Sequence, residues 1–341
     1  MISLIDETLS CREASVNKYC LKQDQEELLL LKAMGKDMRR ERDLAASPRR
    51  DVLTDSRKKG VARMCRYCVE YGSGTKWYLN PENYTDDLVA NTAPHTEAVM
   101  ALGGRGKESF EMGLAAGTDI GIPNLNDVSQ VNMVLEKVVN HGGQVVNLED
   151  ALKVVDLAHG WMRQECLCRK NFGQAELKVC LYPAPVSNKV DEERPWEEHE
   201  FLTRDQAKEH VREVAQMGYV HSVWHGGIHK DGVPVLALCA CAYPDCIGMR
   251  ARQIYGVMNS MRKGESVASI NKQKCQEGCG GTTRNCLSRC NFGALRYSAT
   301  HKCVLVVANE CFGCGRCVEA CPHDAGRCVD RLSYPALVDV W

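Results

Sequence analysis

A stretch of apolar residues long enough to cross a bilayer is missing from this chain. No window approaches the ~18 consecutive apolar residues that a spanning helix needs, so no transmembrane segment is expected. The opening Met1-Ile-Ser-Leu-Ile-Asp-Glu7 has no basic n-region and no apolar core, and it does not read as a secretory leader. Charge of one sign is also missing. The formal net charge is −1, so nothing global argues for nucleic acid or an anionic membrane surface as a partner. Nucleotide signatures fail residue by residue. Gly103-Gly-Arg-Gly106-Lys107-Glu108 would need Gly at 101 and Ser or Thr at 108, and the chain has Ala101 and Glu108. No dinucleotide fingerprint follows a strand, no Gly-x-Ser-x-Gly elbow occurs, and no carboxylate pair stands out from the solvated charges. His221, His225 and His229 recur every four residues. The local Val220-His-Ser-Val-Trp224 is strand-like, however, and Gly226-Gly227 breaks the run, so structural or surface roles are expected for them.

Cysteine is what the chain has in excess: 20 in 341 residues. In a short secreted chain that would suggest a disulfide framework. Here the length and the ligand-type spacings favour a protein of a reducing cytoplasm. Oxygen-labile clusters would fit an anaerobe. The sharpest motif is Cys311-Phe-Gly-Cys314-Gly-Arg-Cys317-Val-Glu-Ala-Cys321-Pro322. Three thiolates two residues apart on a tight, Gly-containing turn can converge on three corners of one cubane, whereas zinc sites normally pair two Cys-x2-Cys knuckles across a longer loop. An iron–sulfur site is the reading here, against zinc or a structural thiol cluster.

A looser copy lies upstream: Cys286-Leu-Ser-Arg-Cys290-Asn-Phe-Gly-Ala294 mirrors Cys317-Val-Glu-Ala-Cys321-Pro-His-Asp-Ala325, offset by 31 residues. Cys275 and Cys279 precede it. Residues 265–335 thus resemble a bacterial-type two-cluster 2[4Fe–4S] ferredoxin domain. The resemblance implies that Cys275, Cys279 and Cys286 hold one cubane with Cys321 as the crossed fourth ligand, and that Cys311, Cys314 and Cys317 hold the other with Cys290. The first half departs from the family pattern in its enlarged loop, Gly280 to Asn285, and in Asn291 where proline is usual. A decayed site with free thiols is the competing reading of that half.

A second constellation has two matched halves, Cys166-x-Cys168-Arg169 with Cys180 and Cys239-x-Cys241 with Cys246. Residues i and i+2 of an extended segment point to one side, so each half can aim two sulfurs at one place. A third cluster is expected here, with zinc as the alternative and structural or redox-active thiols as further readings. Cys65-Arg-Tyr-Cys68 adds two more thiols, which brings the count to that of a fourth cubane. Cys11 and Cys20 read as ordinary thiols, and Cys303 and Cys328 as core. The segment also resembles the Cys-x-Cys regions that precede ferredoxin domains in larger iron–sulfur proteins described as 4Fe–4S ferredoxins.

The expected class is α+β, in four parts: a helical, charged N-terminal extension over 1–62 with good helix formers from Gln23 to Met38; a small globular region over 63–145, with a capped helix beginning near Asp127; an α+β Cys-rich domain over 146–262; and a pseudo-twofold ferredoxin domain over 263–341. In the third part, Asn147 should cap a helix ending at Gly160. Thr203-Arg-Asp-Gln206 should cap another ending at Gly218, followed by a hairpin of Tyr219–His225 with Val233–Leu238. The function expected is one-electron relay to or from a larger redox enzyme, with flavin- or iron–sulfur-containing subunits as partners. The alternatives are an iron–sulfur enzyme or redox sensor acting at the middle cluster, and a zinc-stabilised interaction module with a ferredoxin tail.

Overall fold

The computed structural model describes residues 65–90, 141–166, 168–169, 177–193, 195, 198–226, 231–253, 260–279 and 285–337. The helices expected over 23–38 and from Asp127, the cysteines at 11 and 20, His229 and the enlarged loop at 280–284 lie outside these residues. The expected α+β class is observed. No helix among the described residues is long and apolar enough to cross a membrane.

A short helix α1 (Arg66–Tyr71) opens the described chain, and two 3₁₀ turns follow it. Strand β1 (Gly143–Val145) leads into α2 (Leu148–Val155), where the Asn147 side chain accepts from the Asp150 N–H. The helix stops at Val155 rather than at the expected Gly160, and residues 156–159 form turns. Next come β2 (Trp161–Gln164), β3 (Cys180–Pro183), α3 (Val186–Glu193), β4 (His199–Leu202) and α4 (Arg204–Gln216). The capping box expected at Thr203 is complete: its hydroxyl accepts from Gln206 N–H and the Gln206 side chain accepts from Thr203 N–H. Ala207, His210, Val211, Val214 and Ala215 are buried, the spacing of one helix face, and Gly218 beyond the end adopts φ +98°.

Strands β5 (Val220–His225) and β6 (Val235–Cys241) then pair antiparallel, as the hairpin reading requires. Helix α5 (Ile247–Gln253) and strand β7 (Met261–Arg262) complete a seven-stranded sheet in the order β4-β2-β3-β6-β5-β1-β7. All its pairings are antiparallel except β1 with β7. Val154, Val155, Ala207 and Val211 from the helices share one core with Trp161, Leu181, Val223 and Leu238 of the sheet. Trp77, Tyr78 and Tyr84 join the same core.

The C-terminal part is two copies of one unit. The first runs β8 (Ser266–Ile270), α6 (Lys272–Gly278), α7 (Asn285–Ser288), β9 (Leu295–Ser298); the second runs β10 (Cys303–Val306), α8 (Arg316–Glu319), β11 (Gly326–Asp330). Helix α8 repeats α7 at the same 31-residue offset as the cysteine units. Strand β8 pairs antiparallel with β11, and β9 with β10, so exchanging the halves carries one pairing into the other. Arg331, fully buried, pins the arrangement through its guanidinium to the carbonyls of Gly264, Ser266 and Cys311.

Candidate metal centres

Backbone amides around the ferredoxin-like cysteines follow the same pseudo-twofold. Ala268 N–H in β8 points at Cys311 Sγ (3.4 Å), and Val304 N–H in β10 points at Cys275 Sγ (3.5 Å). Ala294 N–H meets Cys290 Sγ at 3.3 Å and Ala325 N–H meets Cys321 Sγ at 3.4 Å. The alanine in each Cys-x3-Cys-x3-Ala unit therefore has a physical reason. It is buried at 2% and 4% exposure, and its amide faces the sulfur four residues back. Gly313 N–H adds a further contact to Cys311 Sγ at 3.4 Å. Gly313 and Gly315 adopt φ +72° and +76°, and a Cβ on Gly313 would stand 2.0 Å from Ser266 O, so the turn that aims these sulfurs depends on glycine.

The sulfurs fall into two groups. Burial raises the Cys286 thiol pKa, and its charged neighbours are Cys275, Cys321 and Cys279. Burial likewise pushes Cys314 up to about 12 and Cys317 higher still, with Cys311 and Cys290 facing both. Cys275, Cys279, Cys286 and Cys321, together with Cys317, line an open cleft of about 410 Å³, solvent-side space included. Amides directed at sulfur in both groups, and an open cleft at the first, are features that a [4Fe–4S] cluster would use.

The strand register explains the second constellation. Leu181 stands opposite Leu238, which sets Cys180 beside Cys239, and Gln164 stands opposite Cys180, which leaves Cys166 just beyond the end of β2. Cys239 and Cys241 alternate to one side of β6. Cys180 Sγ lies 3.7 Å from Cys166 Sγ, and Ser222 Oγ lies 3.1 Å from Cys241 Sγ. Contacts continue around the group: Cys166 to Cys168, Cys168 to Cys246, Cys246 to Cys241, and Cys239 to Cys180. All six thiols, from both halves, meet in one place. Cys166 holds the lowest pKa because Cys168 and Cys180 donate to it and Arg169 is near, while the same contacts and burial raise Cys168 and Cys180.

Arg169 is 2% exposed, with its guanidinium 4.4 Å above the Tyr219 ring and one nitrogen left without a partner. Burial opposes its charge, but the surrounding Cys166 and Cys180 thiols outweigh that and hold its pKa above the ordinary value. A buried cation against six thiols suits a site that carries negative charge when filled. Among the described residues no three of the six sulfurs lie mutually within 4.8 Å, whereas a tetrahedral zinc with bonds of about 2.3 Å needs its sulfurs ~3.8 Å apart.

Cys65 and Cys68 do not join that ring. Their neighbours are Gln144, His141 and Glu265. Cys303 is fully buried in β10, and Cys328 is partly buried in β11, where its pKa is raised to about 11 by burial first and by Cys311 next. His221 is buried in β5 with Nε2 unpartnered, and His225 lies in the same strand beside Tyr67 and His141.

Residues 304–325 match the family model of the 4Fe-4S binding domain. The chain carries a ferredoxin-type iron–sulfur motif. No curated protein and no solved structure matches the chain. The matched stretch contains Cys311, Cys314, Cys317 and Cys321, so the motif provides for at least one [4Fe–4S] cluster and, in general terms, for electron transfer. Sequence reading missed the residues beside these sulfurs: Arg331 sits in no motif yet holds the Cys311 carbonyl, and Glu265, His141 and Gln144 sit in no motif yet gather around Cys65 and Cys68.

Proposed function

We propose that this chain is an iron–sulfur electron-transfer protein that relays single electrons to or from a larger redox enzyme. In this reading two cubanes are held by Cys275, Cys279, Cys286 and Cys321 and by Cys311, Cys314, Cys317 and Cys290, and a third cluster by the six cysteines of the sheet. A [4Fe–4S] cluster, when bound, changes charge by one electron with its potential set by hydrogen bonds and burial.

The observation that carries the proposal is continuity. Cys241 and Cys246 of the six-thiol group share one apolar cluster with Phe312 and Cys314 of the ferredoxin loop, along with Val145, Val220, Met249 and Met261. Phe312 stacks on Phe292 with ring centroids 3.9 Å apart. The middle sulfurs therefore adjoin one ferredoxin group, and that group shares Cys317 and Cys290 with the cluster of residues around the other. The chain's own part is threefold. Amides of Ala268, Gly313, Val304, Ala294 and Ala325 favour the more negative state of the sulfurs they face. Apolar packing around Cys314 excludes solvent. Arg169 offsets charge at the middle group. The open cleft at Cys279 and Cys286 leaves that end of the series nearest to solvent, where a flavin- or iron–sulfur-containing partner would exchange electrons.

An anaerobic coulometric titration of the full chain tests this. One electron should be taken up per cluster counted by iron analysis, and returned in full to an oxidising redox protein without turnover of any small molecule. Uptake of fewer electrons than clusters, or consumption of electrons by a small substrate, would contradict a relay.

A further inference from the structure

We propose that Cys65, Cys68, Glu265 and His141 form a mononuclear site for a divalent cation of zinc type, separate from the cluster sites and closed by four protein ligands. Among the described residues, one group of three metal-binding side chains has its ligand atoms all within 4.8 Å of one another: Cys65, Cys68 and Glu265, each buried. Cys68 Sγ lies 3.2 Å from Glu265 Oε1. His141, 4% exposed, places Nε2 at 3.7 Å from Cys65 Sγ, and its Nδ1 has no partner. A tetrahedral zinc with sulfur at about 2.3 Å and nitrogen or oxygen at 2.0–2.1 Å has mixed edges of about 3.5 Å. The two measured edges fall on either side of that value. His141 touches the group through Cys65 alone, and would have to move towards Cys68 and Glu265 to complete the tetrahedron.

The donor set selects the metal. Two thiolates, one carboxylate and one imidazole suit a borderline-soft ion, whereas a cubane would need four ligands spread further apart. The surroundings already orient these groups. Gln144 donates through Nε2 to Glu265 Oε1 at 3.0 Å, its own orientation is fixed by the Trp77 indole N–H donating to Gln144 Oε1 at 2.6 Å, and Trp77 N–H approaches Cys68 Sγ at 3.5 Å. That is the support that metal ligands usually receive from the residues behind them. Glu265 is a buried carboxylate hydrogen-bonded to a thiol and an amide, with the Lys76 and Arg262 charges also acting on it, and a dication would place charge directly at its oxygens.

The consequence is structural. The site ties the start of α1 to the turn that leads into β1 and to the residue before β8, fastening the β1 end of the sheet to the ferredoxin half. It does not depend on the relay reading, because zinc and cluster iron are counted separately.

The test uses full chain purified anaerobically, with its iron and sulfide brought to completion before zinc is added. One zinc per chain should survive desalting. Zinc-edge X-ray absorption should give two sulfurs at about 2.3 Å and two nitrogen or oxygen atoms at about 2.0–2.1 Å. Glu265→Gln and Cys68→Ser should each weaken zinc binding by roughly tenfold or more while iron content stays at its unsubstituted value. Should a variant fail to fold, cobalt-substituted unaltered protein gives an independent reading through tetrahedral d–d bands with thiolate charge transfer. No zinc retained, an all-sulfur shell, an octahedral cobalt spectrum, or zinc retention unchanged in both folded variants would overturn the proposal.

Discussion

Ala294 and Ala325 each follow a cysteine by four residues, and each turns its backbone N–H onto that cysteine's sulfur. At this scale the crossed arrangement makes a sharp demand. Cys321→Ser should disturb the cubane at Cys275, Cys279 and Cys286 more than its own loop's, and Cys290→Ser should do the converse. Electron paramagnetic resonance of the reduced variants would distinguish the two, and loss confined to the loop that carries the substitution would refute the crossing. Gly313 is equally exposed to test. Placing Ala there forces a left-handed backbone and a clash with Ser266 O, so Gly313→Ala should cost at least roughly 1–3 kcal/mol in urea melts. A buried histidine sets a pH dependence. Burial holds the His221 pKa down to about 3, so the native imidazole stays neutral while the unfolded one titrates near 6.5. The unfolded chain then binds the extra proton, and stability falls as pH drops from about 6.5 towards 3. This one group should remove about 2 kcal/mol between pH 7 and pH 5. His221→Phe should flatten the corresponding drop in urea midpoint; an unchanged slope would mean that the ring is solvated or paired.

At the scale of elements, local chemistry was legible and pairing was not. Thr203 with Gln206 announced a helix start, Gly218 its end, and the runs Tyr219–His225 and Val233–Leu238 a hairpin, because each signal lies within a few residues of what it determines. Thr203→Ala should therefore cost about 1 kcal/mol, visible as a lower melting temperature with no change in bound iron. The helix after Asn147 was misjudged by five residues, since the turn at 156–159 begins well before the glycine that seemed to close it. The 31-residue cysteine offset was legible and reappears in α7 and α8. Nothing local announced that β1 and β7 would join the same sheet as β2 to β6, or that Glu265 would face Cys68 across almost 200 residues of chain. Cysteine counting allowed a fourth cubane that would include Cys65 and Cys68, and it could not show that a carboxylate and an imidazole lie beside them.

At the scale of the whole molecule, three sulfur groups follow one another through shared packing, from the open cleft at Cys279 to the enclosed ring around Cys180. Close spacing of paramagnetic clusters has a signature that isolated clusters lack. The most direct measurement is iron and sulfide analysis of the anaerobically purified full chain, joined to its electron paramagnetic resonance spectrum on stepwise reduction. The account predicts about twelve iron and twelve sulfide per chain, four of each per cubane, and signals that broaden and split as neighbouring clusters become reduced together. Four iron per chain with one unsplit signal would contradict it.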